Sequence, residues 1–340
     1  MSVTIKEIAA MAGVSRGTVD KVLNHRPGVK QETKEKVLRI AKEMHYQPNF
    51  LGKALVQSKD PLKIGIILTP EYNPYIQEII KGIKEGNDEF SAFGIEIITK
   101  KLKSLDPFEQ LSIIEELVAE GVQGLAVFPL NNSRVIDCLN TLIEQKVAIV
   151  TFNSKVSGCN DLCFVGQDHY KGGRTAAGLM GRICSPDASV GVIISSMHLS
   201  CHQDRLMGFR EKLMETYPGI KIVEIQENQD RGETAYQITK KYLEKYPNLQ
   251  GIYLTSGGIF GIGQALAEAG KASDVRVICH DVIDNTVELL SNGTVDFAIG
   301  QNPTQQGYLL VKTLFDYLIK RQKPDKIIDI PIQIFTDEAI

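Results

Sequence analysis

TIKEIAAMAGVSRGTVDKVLN, residues 4–24, is the stretch on which the reading of this chain turns. Thr4 has the side chain of a helix N-cap, and Ile5, Ile8, Ala9 and Met11 behind it form an apolar i, i+3, i+4 stripe. Gly13 follows the stripe, where a left-handed C-cap needs a residue without a Cβ. Ser15 caps a second helix whose Val19, Val22 and Leu23 face inward. Two short helices joined by a glycine turn are a plain helical hairpin in many folds and a DNA-reading unit in others. In the second case the later helix enters the major groove and presents Arg16, Gly17, Thr18, Asp20 and Lys21.

Three downstream features favour DNA. A third amphipathic helix is expected from about Lys30 to Met44, burying Val37, Leu38, Ile40 and Ala41. Residues 1–58 hold ten Lys/Arg against five Asp/Glu, in a chain of formal net charge −3, so the remainder is acidic. A basic module on an acidic body is the electrostatic footprint of a DNA-binding appendage, although a solvated helical face shows such a balance too. Then comes YQPNFLGKALVQSK, residues 46–59. Pro48 breaks the third helix, and Asn49 caps a short one carrying Leu51, Ala54 and Leu55. That helix is too short to stand alone and needs a dimer mate or DNA, with Leu55 as an apolar wedge for the minor groove. The alternative is an ordinary linker.

On these residues the chain resembles the LacI family of bacterial transcription regulators, over its whole length. The matching motifs are Val3-Thr4-Ile5, Ala12-Gly13-Val14-Ser15, Thr18-Val19-Asp20-Lys21-Val22-Leu23-Asn24 and Tyr46-Gln47-Pro48-Asn49, with the intercalating leucine at Leu55. Two departures stand out. Asp20-Lys21 replaces the usual Ser-Arg pair, and the reading helix begins Arg16-Gly17, which leaves a gap at one base-reading position. The resemblance implies that Thr4, Ser15, Arg16, Gly17, Thr18, Lys21, Asn24, His25, Tyr46, Asn49, Lys53 and Leu55 contact DNA. It implies an all-α headpiece over 1–47, a hinge helix and linker over 48–60, and a two-lobed, periplasmic-binding-protein-like core over 61–340.

The residues of the body point the same way. Strand-length apolar runs occur at LKIGIILT, GIEIITK, GLAVFP, AIVTFN, VGVIISS, IKIVEI, GIYLTS and VRVICH. Helical stretches such as Gln77–Phe90, Pro107–Glu120 and Arg205–Tyr217 lie between them. Near-continuous Val/Ile runs alternating with helices indicate α/β architecture with parallel sheets covered on both faces. Eight such units exceed one compact domain, so two lobes are expected. The first takes about 61–167 and 302–325, the second about 168–301 and 326–340.

Ligands of such sheets gather at the carboxyl ends of the strands. Polar residues at those ends are Asn73 and Tyr75, Asn131, Asn153 and Ser154, Asp168, His202 and Gln203, Asp281 and Gln301. Their amides and carboxylates suit vicinal hydroxyls, although a polar residue at a strand end often only caps the next helix. The family match adds that Asn73 hydrogen-bonds a sugar and Tyr75 stacks on its ring. It also marks a loss. Relatives that bind sugars carry Arg six residues before the aromatic of an R-x-x-G-F/W motif; here that position is Gln203, and Arg205 falls on the second, structural Arg. A ligand-binding Asn is replaced by Gly257. His202 or His198 is expected to substitute, and Lys155 is the nearby cation.

Other classes find little support. There is no P-loop, nucleophile elbow or H-E-x-x-H motif. Cys201-His202 and Cys279-His280 are adjacent pairs, which a strand would point to opposite faces. Six cysteines without CxxC spacing read as free thiols, and Cys159-x-x-x-Cys163 alone is a weak metal signal. No run long enough to span a membrane and no secretion signal is seen. The expectation is a cytoplasmic, homodimeric repressor, not an enzyme, with no cofactor and no metal. It binds double-stranded operator DNA under the control of a small polar effector, a sugar or polyol. The alternatives are a solute-sensing protein without DNA function, or a regulator answering to a non-sugar ligand or a protein corepressor.

Overall fold

The computed structural model describes residues 3–23, 26–44 and 61–340. Three helices open the chain: α1 (Ile5–Ala12), α2 (Arg16–Leu23) and α3 (Gln31–Glu43). Thr4 closes a capping box on α1: its Oγ1 accepts from the Glu7 amide at 3.3 Å, and Glu7 Oε2 accepts from the Thr4 amide at 2.7 Å. Gly13 ends α1 at φ 68, the left-handed conformation expected of it. Ser15 Oγ then accepts from the Thr18 amide at 3.1 Å and caps α2. Ile8, Ala9, Ala12, Val19, Val22, Val37, Ile40 and Ala41 form the headpiece core. Two expected core residues lie outside it. Met11 is 58% exposed and Leu38 37% exposed, because the stripe of α1 runs through Ala12 instead and that of α3 through Val37, Ile40 and Ala41.

The body is two lobes with one plan. The first sheet is ordered β2-β1-β3-β4-β5-β11, from β1 (Leu62–Leu68), β2 (Ile95–Lys101), β3 (Gly124–Val127), β4 (Ala148–Phe152), β5 (Cys163–Gly166) and β11 (Ile327–Asp329). The second repeats it as β7-β6-β8-β9-β10-β12, from β6 (Ser189–Ile194), β7 (Lys221–Glu227), β8 (Leu249–Leu254), β9 (Arg276–His280), β10 (Phe297–Gly300) and β12 (Gln333–Phe335). All pairings are parallel except β10 with β12. The central strands are buried on both faces, which is why they read as unbroken Ile/Val runs. The chain crosses between lobes three times: after β5, after β10 and between β11 and β12. The last crossing was expected near residue 326. It falls after Asp329 instead, because Ile327–Asp329 pairs with Phe164–Gly166 in the first sheet.

Helices α4 (Pro74–Phe90), α5 (Pro107–Ala119), α6 (Ser133–Glu144) and α12 (Pro303–Leu318) cover the first sheet. Helices α7 (His169–Ile183), α8 (Ser200–Thr216), α9 (Gly232–Lys245), α10 (Ile259–Glu268) and α11 (Asp284–Ser291) cover the second. Helices α4 and α8 begin earlier than the sequence suggested, at Pro74 and Ser200. Helices α7 and α8 touch backbone to backbone. A Cβ on Gly173 would sit 1.9 Å from the Arg205 carbonyl oxygen, and one on Gly208 would sit 2.0 Å from that of Tyr170. The glycine of the R-x-x-G-F motif is thus a packing requirement. Its Phe209 stacks on Tyr253 with ring centroids 4.4 Å apart.

Candidate functional site

Strand order 2-1-3-4-5 reverses direction beside β1 in one lobe and β6 in the other, and crevices open at the carboxyl ends of strands at such points. The two crevices face each other. Thr69, Asn73, Tyr75, Phe128 and Asn153 come from the first lobe. Leu199, His202, Arg205, Asp230, Ser256, Gly257 and Asp281 come from the second, and Gln301 lies at a crossing.

The two ends are built alike. Asn153 follows β4 at φ 56 and its amide donates to Val165; Asp281 follows β9 at φ 69 and its amide donates to Ile299. Left-handed backbone at a non-glycine residue is uncommon, is easiest for Asn and Asp, and turns each side chain into the cleft. A hydrogen-bond relay then links the lobes. Tyr75 OH donates to Gln306 Oε1 at 3.1 Å, and Asn153 Nδ2 donates to Tyr75 OH at 2.7 Å. Asn153 Nδ2 also donates to Gln301 Oε1 at 3.2 Å, and Gln301 Nε2 donates to Asp281 Oδ1 at 2.7 Å.

Arg205 is the cation of the cleft. It is 2% exposed, and its Nη1 donates to the Thr255 carbonyl at 2.6 Å, while Nε and Nη2 find no partner among the described residues. Two buried carboxylates share its surroundings. Asp230 accepts from Ser195 Oγ at 2.7 Å and from the Gly257 amide at 2.8 Å, with the Asn73 side chain beside it. Burial pushes the pKa values of both Asp230 and Asp281 up; the hydrogen bonds from Ser195, Gly257 and Asn73, then Arg205, pull Asp230 back, and Arg205, then Gln301, pull Asp281 back.

Sequence reasoning missed Asp230, although its position three residues past β7 obeys the strand-end rule. The expected loss of a cation is corrected. Helix α8 starts at Ser200, so His202, Arg205 and Phe209 share one face at i, i+3 and i+7. Gln203 turns away and donates to the Met197 carbonyl at 2.6 Å. The loss of an amide at Gly257 also has a geometric reason: a Cβ there would stand 3.3 Å from Asn73 Oδ1.

Four other expected residues stand outside the cleft lining, Asn131, Ser154 and Asp168 among them, and Gln203 as just described. Asn131 is exposed and contributes only its amide, which donates to the His198 carbonyl of the other lobe at 3.0 Å. Ser154 is buried against Ser200, Oγ to Oγ at 2.8 Å. Asp168 caps α7 by accepting from the Lys171 amide at 2.9 Å. Lys155 and His198 are exposed and do not line the cleft. Among the described residues no group of His, Cys, Asp and Glu could hold a metal ion, and the six cysteines are free thiols.

The free space at the centre is about 20 Å³. That is room for about one water and far less than the roughly 300 Å³ of a small-molecule site, so admitting a sugar-sized ligand requires the lobes to part.

Three buried histidines ring Arg205. His169 bonds the Asn153 carbonyl through Nε2, His202 bonds Thr255 Oγ1 through Nδ1 at 3.0 Å, and His280 bonds Tyr253 OH through Nε2 at 2.8 Å. Burial, then the Arg205 charge, depresses all three, His202 to about 3. An imidazole in the unfolded chain takes its proton near pH 6.5, whereas folded His202 stays neutral down to about pH 3. Its neutral burial therefore supports the fold fully above pH 6.5, and this support is lost as pH falls from 6.5 toward 3. We expect His202→Gln to flatten the acid side of the stability profile by up to about 1.4 kcal/mol per pH unit. Urea titrations of both proteins at pH 7.5 and 5 check this, and parallel profiles would contradict it. Asp230 and Asp281 act with the opposite sign, from 3.8 upward, but equally in both proteins.

In the headpiece, Arg16, Gly17 and Lys21 are exposed along α2. Thr18 Oγ1 lies 2.9 Å from Ser15 Oγ, and the hydroxyls of Thr4 and Ser15 are engaged in capping. Asp20, the unexpected acid, is held by Arg26 Nη1 at 3.4 Å. Asn24, His25, Tyr46, Asn49, Lys53 and Leu55 lie outside the described residues.

A helix-turn-helix headpiece joined to a two-lobed core with a polar cleft defines a DNA-binding regulator of the effector-controlled type. Residues 4–49 match the model of bacterial regulatory proteins of the lacI family, and residues 64–322 match that of the periplasmic binding protein domain. The chain belongs to the LacI family of bacterial regulatory proteins, with a periplasmic-binding-protein-like core. It is 23% identical to the catabolite control protein A of Streptococcus mutans, over 96% of this chain and 94% of that protein. It is 26% identical to the transcriptional regulator MalR of Streptococcus pneumoniae, over 85% of this chain and 86% of that protein. The fold of an ABC-transporter solute-binding protein from Burkholderia graminis, solved with D-arabinose, superposes with a TM-score of 0.77 at 23% identity, covering 83% of this chain and 96% of that one. No helix among the described residues is long and apolar enough to cross a membrane.

Proposed function

We propose that this regulator is a cytoplasmic, homodimeric repressor. Its effector is a neutral, polyhydroxylated small molecule, a sugar or polyol, held between the lobes. The dimer presents two α2 helices to an operator of matching two-fold symmetry. Effector binding changes the angle between the lobes, and the change passes through residues 45–60 to the headpieces.

The observation that carries the reading is the charge of the cleft. Asp230 and Asp281 face a single Arg205, and the neighbouring histidines are neutral. An anionic ligand would meet two buried carboxylates against one cation. A neutral polyol offers hydroxyls to both carboxylates and accepts from Arg205 Nε and Nη2. Asn73, Tyr75, Asn153, His202 and Gln301 complete the proposed contacts.

The test is a thermal-shift panel on the full chain with pentoses, hexoses, polyols, sugar acids and sugar phosphates. A ligand at 100 times its Kd adds about 2.7 kcal/mol. A shift with neutral sugars or polyols supports the reading. A shift only with anionic sugars overturns the neutral class, and silence across the panel points to a protein corepressor.

A further inference from the structure

We propose that Tyr72 and Arg231 form a latch across the mouth of the cleft, and that this pair sets how readily the lobes part. The inference deepens the effector-site reading above.

Each residue adjoins a cleft residue of its own lobe: Tyr72 precedes Asn73, and Arg231 follows Asp230. The Arg231 guanidinium lies over the Tyr72 ring, 5.0 Å from its centroid, and so joins the lobes outside the Asn73–Gly257–Asp230 contact. Both backbones are set for it. In the first lobe Gln77 Nε2 donates to the Glu71 carbonyl at 3.2 Å, and Lys101 pairs with Glu71, which pins the turn before Tyr72. In the second lobe Gln229 and Asp230 are both left-handed, at φ 54 and 58. Two consecutive non-glycine residues in that region are strained, and such strain collects where a loop must aim a side chain. Arg231 precedes α9 without a side-chain cap bond and has no carboxylate partner among the described residues. Its guanidinium is directed to the Tyr72 side chain, both ring and hydroxyl. Tyr72 is 41% exposed, so the contact sits at the rim, where parting of the lobes breaks it early.

A cation over a ring at a partly exposed site changes an equilibrium about 2- to 10-fold. The readout needs no effector. The Asn131 amide donates to the His198 carbonyl across the lobes, so its hydrogen exchange reports their separation. In the full chain, Tyr72→Ala and Arg231→Ala are each expected to speed Asn131 exchange about 2- to 10-fold. The double variant should be no faster than the single ones, because both delete one contact. Tyr72→Phe, which keeps the ring but loses the hydroxyl's hydrogen bond to Arg231, should fall between wild type and Tyr72→Ala. Unchanged exchange in the alanine variants, or additive effects in the double, overturns the latch. Failure of the sugar panel with these exchange results intact would overturn the effector class and leave the latch standing.

Discussion

Arg205→Met is expected to abolish stabilisation by the neutral sugar or polyol and to cost the core about 1–3 kcal/mol, the usual penalty for leaving a buried acceptor, here the Thr255 carbonyl, without its donor. Methionine fills a similar volume and spans the same helix-to-cleft distance, so packing is largely kept. What goes is the only cation lining the cleft among the described residues, which leaves Asp230 and Asp281 buried without it. Their burial already pushes their pKa values up, and removing Arg205 pushes them further, so the carboxylates hold protons at higher pH. The deficit should therefore shrink as pH falls through the raised pKa values. Urea unfolding at pH 7.5 and 5, with the thermal-shift panel, measures both parts. Wild-type stability with wild-type sugar response would remove Arg205 from the centre of the site. Lost sugar response without lost stability would assign Arg205 to the ligand alone.

Gly208→Ala is expected to cost at least about 1–3 kcal/mol, the range for overpacking a close-packed contact. The position has no room: a Cβ would stand 2.0 Å from the Tyr170 carbonyl oxygen and 3.1 Å from the Arg174 amide nitrogen. Both neighbours are backbone, so no rotamer change relieves the clash and α8 must move off α7. Because Arg205 lies one turn before Gly208 on α8, the shift also displaces the cation and should weaken sugar binding. Gly178→Ala in α7 is the control, since nothing lies within 4 Å of a Cβ there. Urea midpoints of the two variants compare them directly. Equal midpoints would mean that the α7–α8 contact yields freely.

The strand-end rule located about half of the cleft lining and departed from it in instructive places. Asn73, Asn153 and Asp281 follow strands that read clearly as Ile/Val runs, Gln301 follows the short strand Phe297–Gly300, and all four line the cleft. The family motif puts the ligand position at Gln203 and the second Arg at Arg205, whereas α8, beginning at Ser200, turns Arg205 into the cleft and Gln203 away from it. Five residues of added helix reset which side chains share a face. Asp168 shows the opposite case, a strand-end carboxylate that caps α7 and pairs with Lys171 Nζ at 3.4 Å. The left-handed backbone at Asn153 and Asp281 has no signal in residue type beyond a preference for Asn and Asp.

The sequence by itself determined what depends on local spacing. It set the caps at Thr4, Gly13 and Ser15, the parallel strands buried on two faces, and the two-lobed α/β plan with its headpiece. Caps and periodicity act over a few residues, so they are written in neighbouring letters. Tertiary structure alone decided what depends on distant residues meeting. Gly257 is bare because Asn73 comes from the other lobe to face it. Asp20 is answered by Arg26 across a turn, and Arg231 by Tyr72 across the cleft. Arg205 is the cation of the site because α8 packs on α7 through Gly173 and Gly208, and that register is fixed by backbone contact between helices.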